Sequence, residues 1–200
     1  MSRGRLVALE GVDGCGKTTQ LPHVVAALEG AGHHVVATRE PTDGEWGRKI
    51  HVMAHTGDLP PPEEELRWFM EDRSQHVQEL IAPALAAGRT VVTDRYFLST
   101  VAYQGARGLD WREILRESES RFPLPDLALV LTVDAGVGLA RVRARANTPE
   151  PAFEREGYLA RVAEIFAAIE RDYVVRVDAA RDATAVRAAL VAALAVLTAT

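Results

Sequence analysis

The residues with the plainest chemical purpose lie between Gly11 and Thr19. Gly11-Val12-Asp13-Gly14-Cys15-Gly16-Lys17-Thr18 spells Gly-x4-Gly-Lys-Thr, between the apolar run Leu6–Leu9 and a stretch with helical spacing. Strand, glycine turn and helix start, in that order, make a phosphate-binding loop. Glycines let backbone N–H groups wrap an anion, and the helix start adds partial positive charge. Gly11, Asp13, Gly14, Cys15, Gly16, Lys17, Thr18 and Thr19 are therefore the expected contacts to a nucleoside triphosphate. Lys17 can reach the outer phosphates, and the Thr18 hydroxyl can ligate Mg²⁺. Cys15 has no adjacent histidine to activate it, so it reads as a small tolerated side chain and not as a nucleophile.

Two further segments narrow the chemistry. Val91-Val92-Thr93-Asp94 is an apolar strand ending in a carboxylate, the arrangement that holds a metal ion beside such a loop. Arg95 follows at once, at the sheet edge where ligands bind in open α/β folds. Arg39-Glu40-Pro41 repeats the pattern after the run Val35–Thr38. Two arginines near the loop imply a second anion, separate from the triphosphate, because the guanidinium fork suits phosphate. His33, His34, His51, His55 and His76 form no metal-ligand pattern.

These residues need a scaffold, and the chain supplies one by alternation. Apolar runs at Leu6–Leu9, Val35–Thr38, Thr90–Thr93, Leu127–Val133 and Val174–Val177 are separated by segments with helical spacing. Leu21, Val24, Val25 and Leu28 share one face, and Gly30 to Gly32 ends that helix. From Ala183 onward Val186, Leu190 and Leu194 mark a closing helix. Strands alternating with helices predict a parallel sheet covered on both faces, with loops at Gly57–Pro62 and Ala146–Pro151. Two hundred residues fit a single domain, and 48% hydrophobic residues can bury a substantial core. A net charge of −5 argues against a protein that coats nucleic acid. One cysteine excludes an internal disulfide and fits a reducing cytosol. The absence of a long apolar stretch gives the expectation of a soluble, cytoplasmic protein without a membrane span.

With these pieces in place the chain resembles the thymidylate kinases. The matching segments are Gly11–Thr19, Thr38–Pro41 (TREP), Glu71–Val77 (EDRSQHV), Asp94–Gly105 (DRYFLSTVAYQG), Pro125–Asp134 and Gly138–Arg145. They stand in the family's order, and Asp94–Gly105 is the most specific of them. The resemblance implies a P-loop type α/β fold, a five-stranded parallel sheet flanked by helices with a mobile lid at about 141–155. It implies transfer of the γ-phosphoryl group of ATP to dTMP, with Mg²⁺ held through Thr18 and Asp94, in a homodimer. It further implies roles for single residues. Asp13 meets the sugar of the monophosphate, and Arg39 and Arg95 bind its phosphate. Phe69 stacks on the base and Arg73 bonds a base carbonyl; four residues apart, they share a helical face. Ser99, Thr100, Tyr103 and Gln104 complete the nucleoside pocket. Thr100 or Gln104 bonds the base edge, and Tyr103 fills the space near the sugar 2′ position.

Two segments depart from the family pattern. After Arg39-Glu40-Pro41 the family often has Gly-Gly-Thr, where this chain has Thr42-Asp43-Gly44. Family lids commonly carry Asp-Arg followed two positions later by Glu, where this chain has Pro151-Ala152-Phe153-Glu154. The lid arginine is thus missing from its usual place. Arg145 is the first candidate to replace it and Arg155 the second, with Arg141, on the same helical face as Arg145, beside the ATP; Arg143 points largely away. Other readings are a deoxynucleoside kinase, a different nucleoside monophosphate kinase, or a P-loop ATPase or GTPase switch. The guanine motif Asn-Lys-x-Asp is absent from the sequence.

Overall fold

Five parallel strands form one sheet: β1 (Leu6–Glu10), β2 (Val35–Arg39), β3 (Thr90–Asp94), β4 (Leu127–Thr132) and β5 (Val174–Asp178). Their order across the sheet is β2-β3-β1-β4-β5. The computed structural model describes residues 3–145 and 156–198. β1 and β3 are buried at every position, and β4 at all but its last. The edge strands β2 and β5 are partly exposed. Continuous apolar runs are what a parallel sheet covered on both faces demands. All five expected strands are present. β1, β2, β3 and β5 each run one residue past the apolar run, to Glu10, Arg39, Asp94 and Asp178. β4 stops at Thr132, one residue before the expected Val133. A charged residue therefore closes four of the five strands at their C-terminal edge, where the sheet has a crevice between diverging crossovers.

Helices cover both faces: α1 (Lys17–Gly30), α2 (Glu45–Thr56), α3 (Pro62–His76), α4 (Ala82–Ala86), α5 (Phe97–Ala106), α6 (Trp111–Arg121), α7 (Ala135–Arg145), α8 (Glu156–Ala168), α9 (Ala183–Ala193) and α10 (Ala195–Thr198). The expected loop at Gly57–Pro62 ends one residue early, because Pro62 opens α3 with a fixed φ and no N–H to satisfy. A π-helical turn, Val77–Ile81, joins α3 to α4 just before Pro83, which has no N–H for the preceding turn. Asp110 and Asp182 cap α6 and α9 by accepting backbone N–H groups of the first turn.

The core lies on both sides of β1, β3 and β4. A second, smaller cluster of Ile50, Met53 and Trp68, with Trp46, Leu59 and Phe69 against it, joins α2 to α3. This outlying pair of helices forms one wall of the cavity described below. The expected loop Ala146–Pro151, the remainder of the expected lid to residue 155, and Phe153, Glu154 and Arg155 within it lie outside the described residues.

The central strand carries the sheet, so its core contacts should dominate stability. Leu9 is fully buried between β3 and β4. Leu9→Ala should lower the unfolding free energy by about 2–5 kcal/mol. Urea denaturation should show a lower midpoint with an unchanged slope.

Candidate active site

The phosphate-binding loop depends on conformations open to glycine. Gly14 has φ +77, and a Cβ there would lie 2.0 Å from the Gly138 carbonyl oxygen. Gly16 has φ +104 and leads directly into α1. Lys17, the first residue of α1, is buried, and its ammonium donates to the carbonyls of Gly11 and Val12 at 2.9 and 3.0 Å. Thr18 Oγ1 donates to Asp94 Oδ2 at 2.7 Å. Mg²⁺ takes hard oxygen ligands and keeps several waters beside substrate phosphates, so a hydroxyl and a carboxylate at this spacing fit it. No group of three or more His, Cys, Asp or Glu side chains placed to hold a metal ion is present among the described residues.

Arg95 is the one non-glycine residue with positive φ among the described residues, at 72°. Such a conformation persists only where its surroundings enforce it. Its N–H donates to the Leu9 carbonyl at 2.9 Å, and its carbonyl accepts from Thr93 Oγ1 at 2.7 Å. The side chain pairs with Asp13, donates to Ser99 Oγ at 3.0 Å, and lies over the Tyr103 ring. Tyr103 donates its hydroxyl to Asp13 Oδ2 at 2.7 Å. Burial opposes ionisation of Asp13, but Arg95 and Lys17 outweigh it and hold the carboxyl below its usual range. Burial, reinforced by Asp13, pushes the Tyr103 phenol up.

Glu10 has no role legible in the sequence. It is fully buried at the end of β1. It accepts the N–H groups of Tyr96 and Leu98 at 3.0 and 3.1 Å, and the Ser99 hydroxyl. Burial pushes its carboxyl up to about 7, against the opposing pull of Ser99, Arg95, Arg73 and Lys17. A carboxylate directly after an apolar central strand was the available signal.

A cavity of about 180 Å³ opens between these groups and the α2–α3 wall. Phe69, Ile50 and Ala54 supply its apolar surface, while Asp13, Arg73, Arg95, Ser99, Thr100, Tyr103 and Gln104 supply polar groups. Arg73 is buried, and its Nε and Nη2 donate to Glu40 Oε2 at 2.9 and 2.6 Å. Nη2 also donates to Thr100 Oγ1 at 2.9 Å. Nη1 is buried with no partner among the described residues. The other Glu40 oxygen lies 3.0 Å from His76 Nδ1, and His76 Nε2 lies 2.8 Å from Thr38 Oγ1. Glu40 thus aligns Arg73 from across the site, and its sequence neighbours Glu71 and Asp72 take no part. Gln104 donates to Glu65 on α3. Burial pushes the Glu65 carboxyl up, with Arg107 and Gln104 opposing. His51, left without a role by the sequence, also lines the cavity, and its Nε2 is buried without a partner among the described residues.

The structure brings Asp13, Phe69, Arg73, Arg95, Ser99, Thr100, Tyr103 and Gln104 to one cavity. It does not bring Arg39 there. Arg39 ends an edge strand, its side chain is 63% exposed, and its partner is Asp43 at 3.5 Å. It lines a neighbouring groove of about 640 Å³ together with Thr18 and Asp94. Cys15 is buried, and Thr19 is exposed on the first turn of α1. Arg141 donates to the Ala179 carbonyl, just past β5, at 3.0 Å. Arg143 is exposed on α7. Arg145 is the last residue of α7; its side chain, like the whole of Arg155, lies outside what is described.

A family model for thymidylate kinase matches residues 9–190. A thymidylate kinase of Xanthomonas oryzae pv. oryzae is 47% identical over 196 residues, covering 96% of this chain and 85% of that protein. One from Xanthomonas euvesicatoria pv. vesicatoria is 46% identical over the same length, with the same coverage. One from Akkermansia muciniphila is 44% identical over 178 residues, covering 88% of this chain and 84% of its own.

The buried Glu10 makes stability depend on pH in a stated direction. Its carboxyl ionises near 4.5 in the unfolded chain and near 7 in the folded one. Between those values the folded state binds more protons, so this group's contribution falls as pH rises and is level above 7. Relative to Glu10→Gln, the wild type should lose about 1–3 kcal/mol between pH 5 and pH 8. Urea unfolding of both proteins across that range measures the difference; parallel curves would place the folded carboxyl at its ordinary value.

Proposed function

The chain belongs to the thymidylate kinase family, and from that premise we infer that it transfers the γ-phosphoryl group of ATP to dTMP, giving dTDP and ADP. The observation that supports this reading most strongly is the pair of arginines in one cavity. Arg95 lies beside the phosphate-binding loop, and Arg73 lines the same cavity as Phe69 with a buried Nη1 that has no partner among the described residues. An acceptor with a phosphate at one end and a carbonyl-bearing base at the other fits both. The acceptor of a deoxynucleoside kinase would bring Arg95 no phosphate, leaving it only Asp13.

The triphosphate of ATP lies in the Gly11–Thr19 loop, where Lys17 exchanges the carbonyls of Gly11 and Val12 for the outer phosphates. Thr18 and Asp94 would hold Mg²⁺, which, when bound, neutralises charge developing between the β- and γ-phosphates. Arg95 binds the acceptor phosphate, and Asp13 aligns Arg95 and accepts a sugar hydroxyl. Tyr103 closes the side of the sugar where a ribonucleotide carries an extra hydroxyl. Phe69 stacks on the base, and Arg73 donates to its carbonyl. Arg39, in the neighbouring groove with Thr18 and Asp94, serves the phosphates from the outer side. Phosphoryl transfer asks for little covalent help, so alignment and charge neutralisation carry the rate, and no protein nucleophile takes part. Arg145 and then Arg155 are the arginines that would complete the site from the lid, with Arg141 at the ATP. The family relationship supports a homodimer and a cytoplasmic setting as parts of the same proposal. No helix among the described residues is long and apolar enough to cross a membrane.

ADP release that requires dTMP tests the reading; ATP hydrolysis at the same rate without dTMP would point to a switch instead. Lys17→Ala should cut kcat about a hundredfold or more while dTMP affinity changes little, because the lysine acts on charge that moves in the transition state. Near-normal turnover in the folded variant would remove the loop from the mechanism.

Arg73 needs a gentler change than alanine, which would strand Glu40 as a buried, unpaired carboxylate. Arg73→Lys keeps the charge but loses the fork. The Kd for dTMP should rise about tenfold or more, with ATP binding unchanged. Calorimetric titration of each nucleotide checks this, and equal dTMP affinity would release Arg73 from the base.

A further inference from the structure

Gln104 is fully buried on α5 and lines the cavity beside Arg73. Its Nε2 donates to Glu65 Oε1 at 2.9 Å, and its Oε1 is buried with no partner among the described residues. Glu65 is fully buried on α3, outside the cavity lining. Its Oε2 lies 3.4 Å from Arg107 Nη1, and Arg107 Nη2 donates to the Pro60 carbonyl at 2.8 Å. A line of contacts thus runs from the loop before α3, through Arg107 and Glu65, to one amide in the pocket.

The two ends of a carboxamide have nearly the same shape and opposite chemistry. Unrestrained, Gln104 could present either its donor or its acceptor to a ligand. An ionised carboxylate accepts only, and Arg107 at 3.4 Å favours that form of Glu65 against the burial that opposes it, so Glu65 consumes the nitrogen and leaves the oxygen. Arg73 contributes the complementary group, a donor with no partner among the described residues. A buried donor and a buried acceptor in one cavity suit a ring that carries a carbonyl beside an N–H. Thymine and uracil have that edge at C4 and N3. Cytosine offers an amino donor at C4 and a lone pair at N3, and meets both groups with the wrong polarity.

We propose that Glu65, pinned by Arg107, is a positioning residue that holds the Gln104 carboxamide with its oxygen free, and thereby makes the site select pyrimidines with an N3–H beside a C4 carbonyl over those with a C4 amino group. The proposal rests on the reading that dTMP is the acceptor, and it adds the residue that sets the polarity of base recognition. Glu65 touches no substrate in this scheme and acts only through Gln104.

Glu65→Gln keeps the shape and gives Gln104 a partner that both donates and accepts, which frees the amide to turn. The KM for dTMP should rise about tenfold with kcat within about threefold, and the preference for dTMP over dCMP, read by competition, should fall at least tenfold. In a Gln104→Leu background the same change should alter that preference no further. An unchanged preference in Glu65→Gln, or an equal loss in both backgrounds, would mean a merely structural role and overturn the proposal. Wild-type protein that releases ADP without regard to dTMP would overturn the acceptor assignment first, and is distinguishable because no variant is needed to see it. If Glu65→Gln does not fold, exchange of the Gln104 side-chain amide protons in the wild type decides, those signals being identified by their loss in Gln104→Leu. Protection without nucleotide is the expected result, since the nitrogen is spent on Glu65. Protection gained only when dTMP is added would show the nitrogen donating to the ligand, and would sink the idea.

Discussion

A carboxylate buried at the end of the central strand has to be satisfied where it stands, and much of the site follows from how Glu10 is satisfied. It takes two backbone N–H groups from the start of α5 and the hydroxyl of Ser99. The first N–H groups of a helix have no partner within the helix, and its start favours negative charge, so the two needs meet. The contact locks α5 to β1, the strand that leads into the phosphate-binding loop. With its start fixed, α5 presents Ser99, Thr100, Tyr103 and Gln104 to the cavity, residues three and four apart on one face. Ser99 then accepts from Arg95, which carries the connection on to Asp13 in the loop itself.

The two arginines of the cavity are both fixed by protein carboxylates. Arg95 is paired with Asp13, and Arg73 with Glu40, whose second oxygen meets His76. Taking such pairs out of water costs more than their attraction returns unless every remaining group is hydrogen-bonded. The return here is alignment. A guanidinium already fixed in direction loses little freedom when it meets an anion or a carbonyl, and alignment is the larger part of what phosphoryl transfer asks of a protein. Glu65 and Arg107 repeat the arrangement one layer further out, with an amide as the aligned group.

The wall opposite α5 belongs to a separate, small apolar cluster. Ile50, Met53 and Trp68 pack α2 on α3 apart from the main core. Lys49 lies over the Trp68 ring at 3.8 Å, which covers that cluster with a charge. The consequence for the site is a base-sized hollow between an element tied to the sheet and one tied mainly to its neighbour helix, with Phe69 at the boundary.

Local pattern alone determined the strands, the glycine turn and the face shared by Phe69 and Arg73, because each depends on residues close in sequence. The apolar runs located all five strands to within a residue, and Gly-x4-Gly-Lys-Thr needed only its own spacing. Arg39 and Arg95 look alike on that basis, each an arginine at the end of an apolar strand. Their fates differ because β2 is an edge strand and β3 an inner one, so Arg39 reaches solvent and Asp43 while Arg95 is drawn to Asp13. Strand order is a property of the assembled sheet and leaves no mark on either segment. The same holds for Glu10, Glu40 and Glu65. Among the acidic residues of the chain nothing local marks Glu40 and Glu65 as buried, Glu10 has only its place at the end of an apolar strand to mark it, and the partners of the three stand 33 to 89 residues away in the contacts that satisfy Glu10 and align Arg73 and Gln104. Burial is decided by which elements meet, and for a charged group burial decides its chemistry.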